Sequence, residues 1–171
     1  NEQFPIKSVI HFAGLKSVAE SVDHPLKYWE TNVYGSINLL KTMEKFDCRN
    51  FVFSSSATIY GNYGMRKIPE DALINPVNPY GNTKYTVEKI LKNLFVSQPN
   101  KWRIANLRYF NPVGAHPSGI LGENPKQYPN NLLPLILKVA YGEQTNLKVY
   151  GDDWPTHDGT CIRDFIHVMD L

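Results

Sequence analysis

Asn50-Phe51-Val52-Phe53-Ser54-Ser55-Ser56-Ala57-Thr58-Ile59-Tyr60-Gly61 decides how the rest of the chain is read. Asn50 to Ser54 is a short apolar run of the kind that forms a strand in a parallel sheet. It ends in hydroxyls, so a serine is delivered at a strand end. Downstream, Pro79 opens a helical pattern with apolar Val87, Ile90, Leu91 and Leu94, which fades near Ser97-Gln98-Pro99. Its first turns hold Tyr80-Gly81-Asn82-Thr83-Lys84. A tyrosine and a lysine four apart share one helix face, about one turn from each other. A free phenol titrates near ~10 and is a poor base at neutral pH. An ammonium close by favours the phenolate. With a serine hydroxyl to complete a proton path, these residue types suggest reversible oxidation of an alcohol, a nicotinamide taking the hydride.

Outward from this stretch, the elements alternate. Ser8-Val9-Ile10-His11-Phe12-Ala13 reads as a strand that turns at Gly14. After Pro25 one helical period runs through Leu26, Trp29, Val33, Ile37, Leu40 and Met43 to about Phe46. Gly61 to Asn78 is a loop, and Trp102 to Tyr109 is a third strand. Strand, helix, strand, helix, strand is the order of an α/β parallel sheet flanked by helices. From Asn111 to Asn131 the chain is loop-like. Leu132 to Tyr141 is a helix ended by Gly142, Leu147 to Tyr150 a short strand, Asp164 to His167 a further strand, and Val168 to Leu171 the start of a helix.

Composition narrows the class. With 171 residues, 42% of them hydrophobic, the chain is one domain's worth and can build a core. A net charge of +2 with dispersed Lys and Arg argues against nucleic acid as a partner. Cys48 and Cys161 are too few for a disulfide framework, and the five histidines show no metal-ligand spacing, so no metal is expected. His11, in an apolar strand, reads as a satisfied core histidine. No apolar run approaches the ~20 residues of a membrane span. These features suit a cytoplasmic protein acting away from membranes. The absent initiator methionine and the strand close to Asn1 suggest a piece of a longer polypeptide.

Four motifs carry a family resemblance: Ile10 to Lys16, Ser54 to Gly61, Tyr80 to Lys84, and Arg108-Tyr109-Phe110-Asn111-Pro112-Val113-Gly114-Ala115-His116-Pro117. Pro129-Asn130-Asn131-Leu132 and Asp158 to Val168 add to them. In order and spacing the chain resembles the extended short-chain dehydrogenase/reductase family, and in it the UDP-glucose (UDP-galactose) 4-epimerase group. The resemblance implies an incomplete Rossmann-like NAD-binding domain over 1–110, part of a smaller UDP-sugar-binding domain over 111–163, and a return strand and helix start over 164–171. It lacks the family's Gly-rich pyrophosphate loop and its C-terminal part. A non-catalytic truncated binding fragment is the alternative on that ground. Another is a different nucleotide-sugar 4-epimerase or sugar-modifying short-chain dehydrogenase. Sugar 4,6-dehydratases usually carry an acidic pair where this chain has Ser56-Ala57.

The implied activity is interconversion of UDP-glucose and UDP-galactose in galactose metabolism, by NAD-dependent oxidation at C4 through a 4-keto sugar. The implied catalytic residues are Ser56, Tyr80 and Lys84. Ser54, Ser55 and Thr58 are near enough in sequence to supply the bridging hydroxyl instead. NAD would meet Phe12, Ala13, Gly14, Lys16, Asn32, Ser54, Tyr80, Lys84 and Tyr109. Lys84 is expected to bind the nicotinamide ribose and to lower the Tyr80 pKa. The UDP-sugar would meet Ser56, Asn111, Asn131, Leu132, Lys148, Tyr150 and Arg163. Asn32 could equally be a buried amide bonded to a neighbouring loop, and Arg163 a surface ion-pair partner of Asp158 or Asp164. A homodimer is implied for the complete protein.

Overall fold

Phe51 and Phe53 point to the same side of their strand, because side chains alternate along extended chain. Both are almost fully buried, and they gather Leu40, Met43, Val87, Leu91 and Trp102 around them. That cluster is the core of the first of two units, Asn1–Tyr109 and Phe110–Leu171, in the computed structural model. Residues 5–64, 67–123, 129 and 131–171 are described, which leaves Asn130 outside.

The first unit is built on three strands: β1 (Ser8–His11), β2 (Asn50–Ser54) and β3 (Arg103–Leu107). They lie in the order β1-β2-β3, and both pairings are parallel. Val9 sits opposite Phe51, and Phe51 opposite Ile104. The carboxyl ends of all three strands therefore lie along one edge, where an open α/β sheet takes its ligands. The expected parallel sheet flanked by helices is present.

The run after Pro25 is helical throughout but not uniform. It comprises α2 (Pro25–Tyr28), a π turn (Trp29–Tyr34) and α3 (Gly35–Lys45). At the end of the π turn Gly35 N–H reaches back five residues to the Glu30 carbonyl. A helix not foreseen precedes it, α1 (Val18–Asp23), capped by Ser17, whose hydroxyl accepts from Glu20 N–H at 3.3 Å. Ser17-x-x-Glu20 is the spacing of a capping box, so the signal was in the sequence. α4 (Pro79–Ser97) matches its predicted span, with Asn78 as N-cap accepting from Gly81 N–H at 2.8 Å. Two strands are shorter than read. β1 stops at His11 and β3 at Leu107, each before a turn that faces the carboxyl edge. His11 is half-buried, stacks near Phe51 and Phe53, and its Nε2 lies 3.0 Å from the Ser36 hydroxyl, a satisfied core histidine as read.

The second unit holds β4 (Asn111–Val113) and β5 (Phe165–His167), a parallel pair with Asn111 opposite Phe165, and α5 (Leu132–Ala140). The first three residues of the expected 111–131 loop are thus a strand. The expected strand at 147–150 is absent. Val149 and Tyr150 are 68% and 85% exposed, so no buried apolar face holds that segment extended against a partner. Val168 to Leu171 closes in a single turn, with Leu171 N–H on the His167 carbonyl. Among the described residues no helix is long and apolar enough to cross a membrane.

Leu91 is wholly buried in the core that joins α4 to the sheet. Leu91→Ala is expected to destabilise the protein by about 2–5 kcal/mol, read as a lowered urea midpoint with an unchanged m-value.

Candidate functional site

The site is assembled at the N-terminus of α4. Pro79 is tolerated in the first turn because it has no N–H to satisfy. The next N–H, that of Tyr80, donates to the Ser21 hydroxyl of α1 at 3.2 Å. Gly81 follows, and its missing side chain matters. A Cβ there would meet the Thr58 carbonyl oxygen at 3.1 Å, so glycine lets the turn at 57–60 press against the helix start. That turn (Ala57–Tyr60) is a single 3-10 turn capped by Ser56.

Lys84 lies one turn beyond Tyr80 and faces the same side. Its Nζ sits 5.8 Å from the Tyr80 ring centroid and 5.0 Å from that of Phe53. It is only 5% exposed and donates to the Ser54 carbonyl at 2.8 Å. The three consecutive serines take three different partners. Ser54 Oγ bonds to the Tyr109 hydroxyl. Ser55 Oγ donates to Glu88 Oε1 at 2.5 Å. Ser56 Oγ donates to Thr58 Oγ1 at 2.9 Å and accepts from Thr58 N–H at 3.2 Å. Ser56 thus caps a turn and also lies close enough to Tyr80 to favour the phenolate. Ser54, Ser56, Tyr80, Lys84 and Tyr109 are brought together in the first unit.

The electrostatics depart from expectation. Tyr80 is held above the ordinary phenol value, because burial outweighs the help from Ser56 and the nearby Tyr109 phenol opposes ionisation. Lys84 is pushed down to about 8 by burial alone. Desolvation thus penalises the charged form of both residues, and the ammonium is engaged by the Ser54 carbonyl rather than by the phenol oxygen. The expected lowering of the Tyr80 pKa by Lys84 does not appear in this arrangement.

The turn after β1 presents Phe12, Ala13, Gly14 and Lys16 as exposed residues at the carboxyl edge. Gly14 has φ +141°, a conformation that disfavours any side chain, and a Cβ there would lie 2.9 Å from Asn32 Oδ1. Asn32 is buried in the π turn and clamps this loop. Its Oδ1 accepts from Leu15 N–H at 2.8 Å, and its Nδ2 donates to the Leu15 carbonyl at 3.0 Å and to Thr83 Oγ1 at 3.2 Å. Both amide hydrogens are used within the chain, so the loop-holding reading of Asn32 is realised, and only an oxygen lone pair remains for a ligand.

The remaining candidates belong to the second unit. Asn111 Nδ2 donates to the Asp164 carbonyl at 2.9 Å, tying it to the residue after Arg163. Asn131 stands at the N-cap position of α5 without a side-chain capping bond, and Leu132 begins the helix, 49% exposed. Lys148, Tyr150 and Arg163 are exposed. Arg163 forms no ion pair among the described residues, and Asp158 is occupied by Thr160 N–H at 3.0 Å and Thr160 Oγ1 at 2.9 Å.

Two polar residues were not singled out from the sequence. Glu88 is buried on α4, four residues after Lys84, and grips Arg108, with Nη2 to Oε2 at 2.6 Å. A carboxylate between Val87 and Leu91 on a core-facing helix was the available signal. Ser21 had none, since a serine that receives a distant helix N–H leaves no local pattern.

The model of the NAD dependent epimerase/dehydratase family matches residues 1–171. The UDP-glucose 4-epimerase of Bacillus subtilis is 52% identical over 166 residues, covering 97% of this chain and 49% of that protein. The bifunctional protein gal10 of Schizosaccharomyces pombe is 54% identical over 174 residues, covering 99% of this chain and 24% of its own. The chain thus spans half or less of the length of these relatives. The crystal structure of UDP-glucose 4-epimerase from Bifidobacterium longum in complex with NAD+ and UDP superposes with a TM-score of 0.90 at 50% identity, covering 99% of this chain and 50% of that one. With its whole length matched, a parallel sheet of the same build and relatives above half identity, the chain belongs to the NAD dependent epimerase/dehydratase family.

Proposed function

We propose that the full-length protein interconverts UDP-glucose and UDP-galactose by reversible oxidation at C4 of the hexose, using NAD, as a cytoplasmic enzyme of galactose metabolism. The observation that carries this is the convergence of Ser56, Tyr80 and Lys84 at the carboxyl edge of the sheet. The relatives named above support the choice of substrate and cofactor.

The residues suit the cofactor. The Phe12 to Lys16 turn offers exposed backbone beside a glycine whose Cβ would crowd the loop's own clamp, so a flat ligand can approach there. Lys16 is an exposed cation fit for a phosphate, and Lys84 and Tyr80 supply donors for a ribose. When bound, NAD would supply a hydride acceptor that returns the hydride to the other face of C4. Tyr80 takes the proton of the 4-hydroxyl, and Ser56 bridges phenol and sugar. Lys84 is held one turn away by the Ser54 carbonyl, from where its ammonium is proposed to oppose the cost of burying the phenolate. Ser54 fixes the Tyr109 ring beside them. For the sugar nucleotide, Asn111, Asn131, Leu132, Lys148, Tyr150 and Arg163 are the proposed contacts, Arg163 offering its fork to the diphosphate. Dimerisation is proposed on the open apolar groove of about 160 Å³ lined by Ile37, Leu40, Lys41, Glu44, Ile90 and Leu94, which a second copy would cover.

Incubation of the full-length protein with UDP-galactose is expected to yield UDP-glucose. Tyr80→Phe is expected to reduce turnover by at least ~10²-fold while UDP-sugar affinity, measured by titration, stays near wild type. Near-normal turnover in that variant would remove Tyr80 as the base.

The lysine gives a second expectation. Its folded value of about 8 lies below the ordinary lysine value. Between the two, the unfolded chain binds more protons than the folded one, so stability rises with pH over that window. The cost of burying the ammonium is fully present below about pH 8 and is relieved above it. Denaturant titrations of cofactor-free protein across this window are expected to show the rise in wild type and a flatter profile in Lys84→Met.

A further inference from the structure

Glu88 and Arg108 form an ion pair, buried on its carboxylate side, that lies outside the proposed proton path. Glu88 is 5% exposed and the Arg108 side chain 23%. The guanidinium uses both sides of its fork: Nε and Nη2 reach the carboxylate at 3.0 to 3.2 Å and 2.6 Å, and Nη1 reaches the Tyr60 hydroxyl at 2.9 Å and the Glu70 carbonyl at 2.8 Å. Among the described residues the carboxylate has one further partner, Ser55, whose hydroxyl donates to Oε1.

What this pair joins sets it apart from an ordinary structural bridge. Glu88 is on α4, eight residues after Tyr80, about 12 Å along the axis. Arg108 immediately precedes Tyr109, and Ser55 immediately precedes Ser56. At Ser55 the chain has already left the strand ladder, its N–H bonding to the Phe53 carbonyl at 3.0 Å, so the anchored Ser55 side chain decides which way Ser56 leaves the sheet. The Tyr109 carbonyl closes the loop by accepting from Ala57 N–H at 3.2 Å. We propose that the Glu88–Arg108 pair, acting through Ser55, is a positioning device that sets the Ser56 and Tyr109 hydroxyls about the Tyr80 phenol, and that Ser55, Glu88 and Arg108 are positioning residues for proton transfer. This rests on Tyr80 being the base.

The test compares Ser55→Ala, Glu88→Gln and Tyr80→Phe in the full-length protein. Ser55→Ala deletes one hydrogen bond, and is expected to lower kcat about 3- to 10-fold. Glu88→Gln keeps the shape but discharges the pair, and is expected to cost about 10²-fold through a misplaced reacting group. In both, KM for the UDP-sugar stays within about twofold, and the kcat–pH profile is displaced, an effect that mere loss of folded protein does not produce. If Glu88→Gln does not fold, Ser55→Ala decides. Folded Ser55→Ala with wild-type kcat and an unmoved pH profile overturns the inference, as does a loss confined to KM. An inactive Tyr80→Phe beside a normal Ser55→Ala would sink only the positioning role. An active Tyr80→Phe would sink the base and the positioning role together.

Discussion

The bond from Lys84 Nζ to the Ser54 carbonyl is the constraint on which the site depends. It joins the first turns of α4 to the last residue of β2, so helix and strand cannot shift past one another without exposing a buried charge. An ammonium at 5% exposure is costly unless its protons are satisfied, and the carbonyl at the strand end accepts one of them. The same bond sets the distance between the serine run and the phenol. Gly81 then allows the 57–60 turn to close against the helix, which completes the cluster.

Much of this was legible in the sequence because it depends on local pattern. Apolar Phe51 and Phe53, prolines at helix starts and a four-residue Tyr–Lys spacing are statements about neighbours in the chain, and each survives folding. The span of α4 and the parallel sheet followed from them. The capping box of α1 is equally local. By contrast, the short strand at 147–150 failed because β propensity needs a partner and a buried face, and Val149 and Tyr150 have neither.

What was not legible depends on residues far apart. Ser21 meets Tyr80 across 59 positions, Asn32 meets Thr83 across 51, and Arg108 meets Glu88 across 20. No window of sequence contains such a pair. The direction of the Tyr80 pKa was misjudged for a related reason. Spacing reports that a cation is near, but the balance between its attraction and the loss of water depends on how deeply both are covered.

The π turn at Trp29–Tyr34 has a consequence for how this segment can change over evolutionary time. Such a turn amounts to one surplus residue in a helix, and each residue accounts for about 100° of rotation. A single-codon deletion there would let the helix revert to regular winding and would swing the segment before it, or Asn32 itself, away from Leu15. Length in this stretch should therefore be held more strictly than composition, and comparisons of distant kin ought to place their gaps elsewhere.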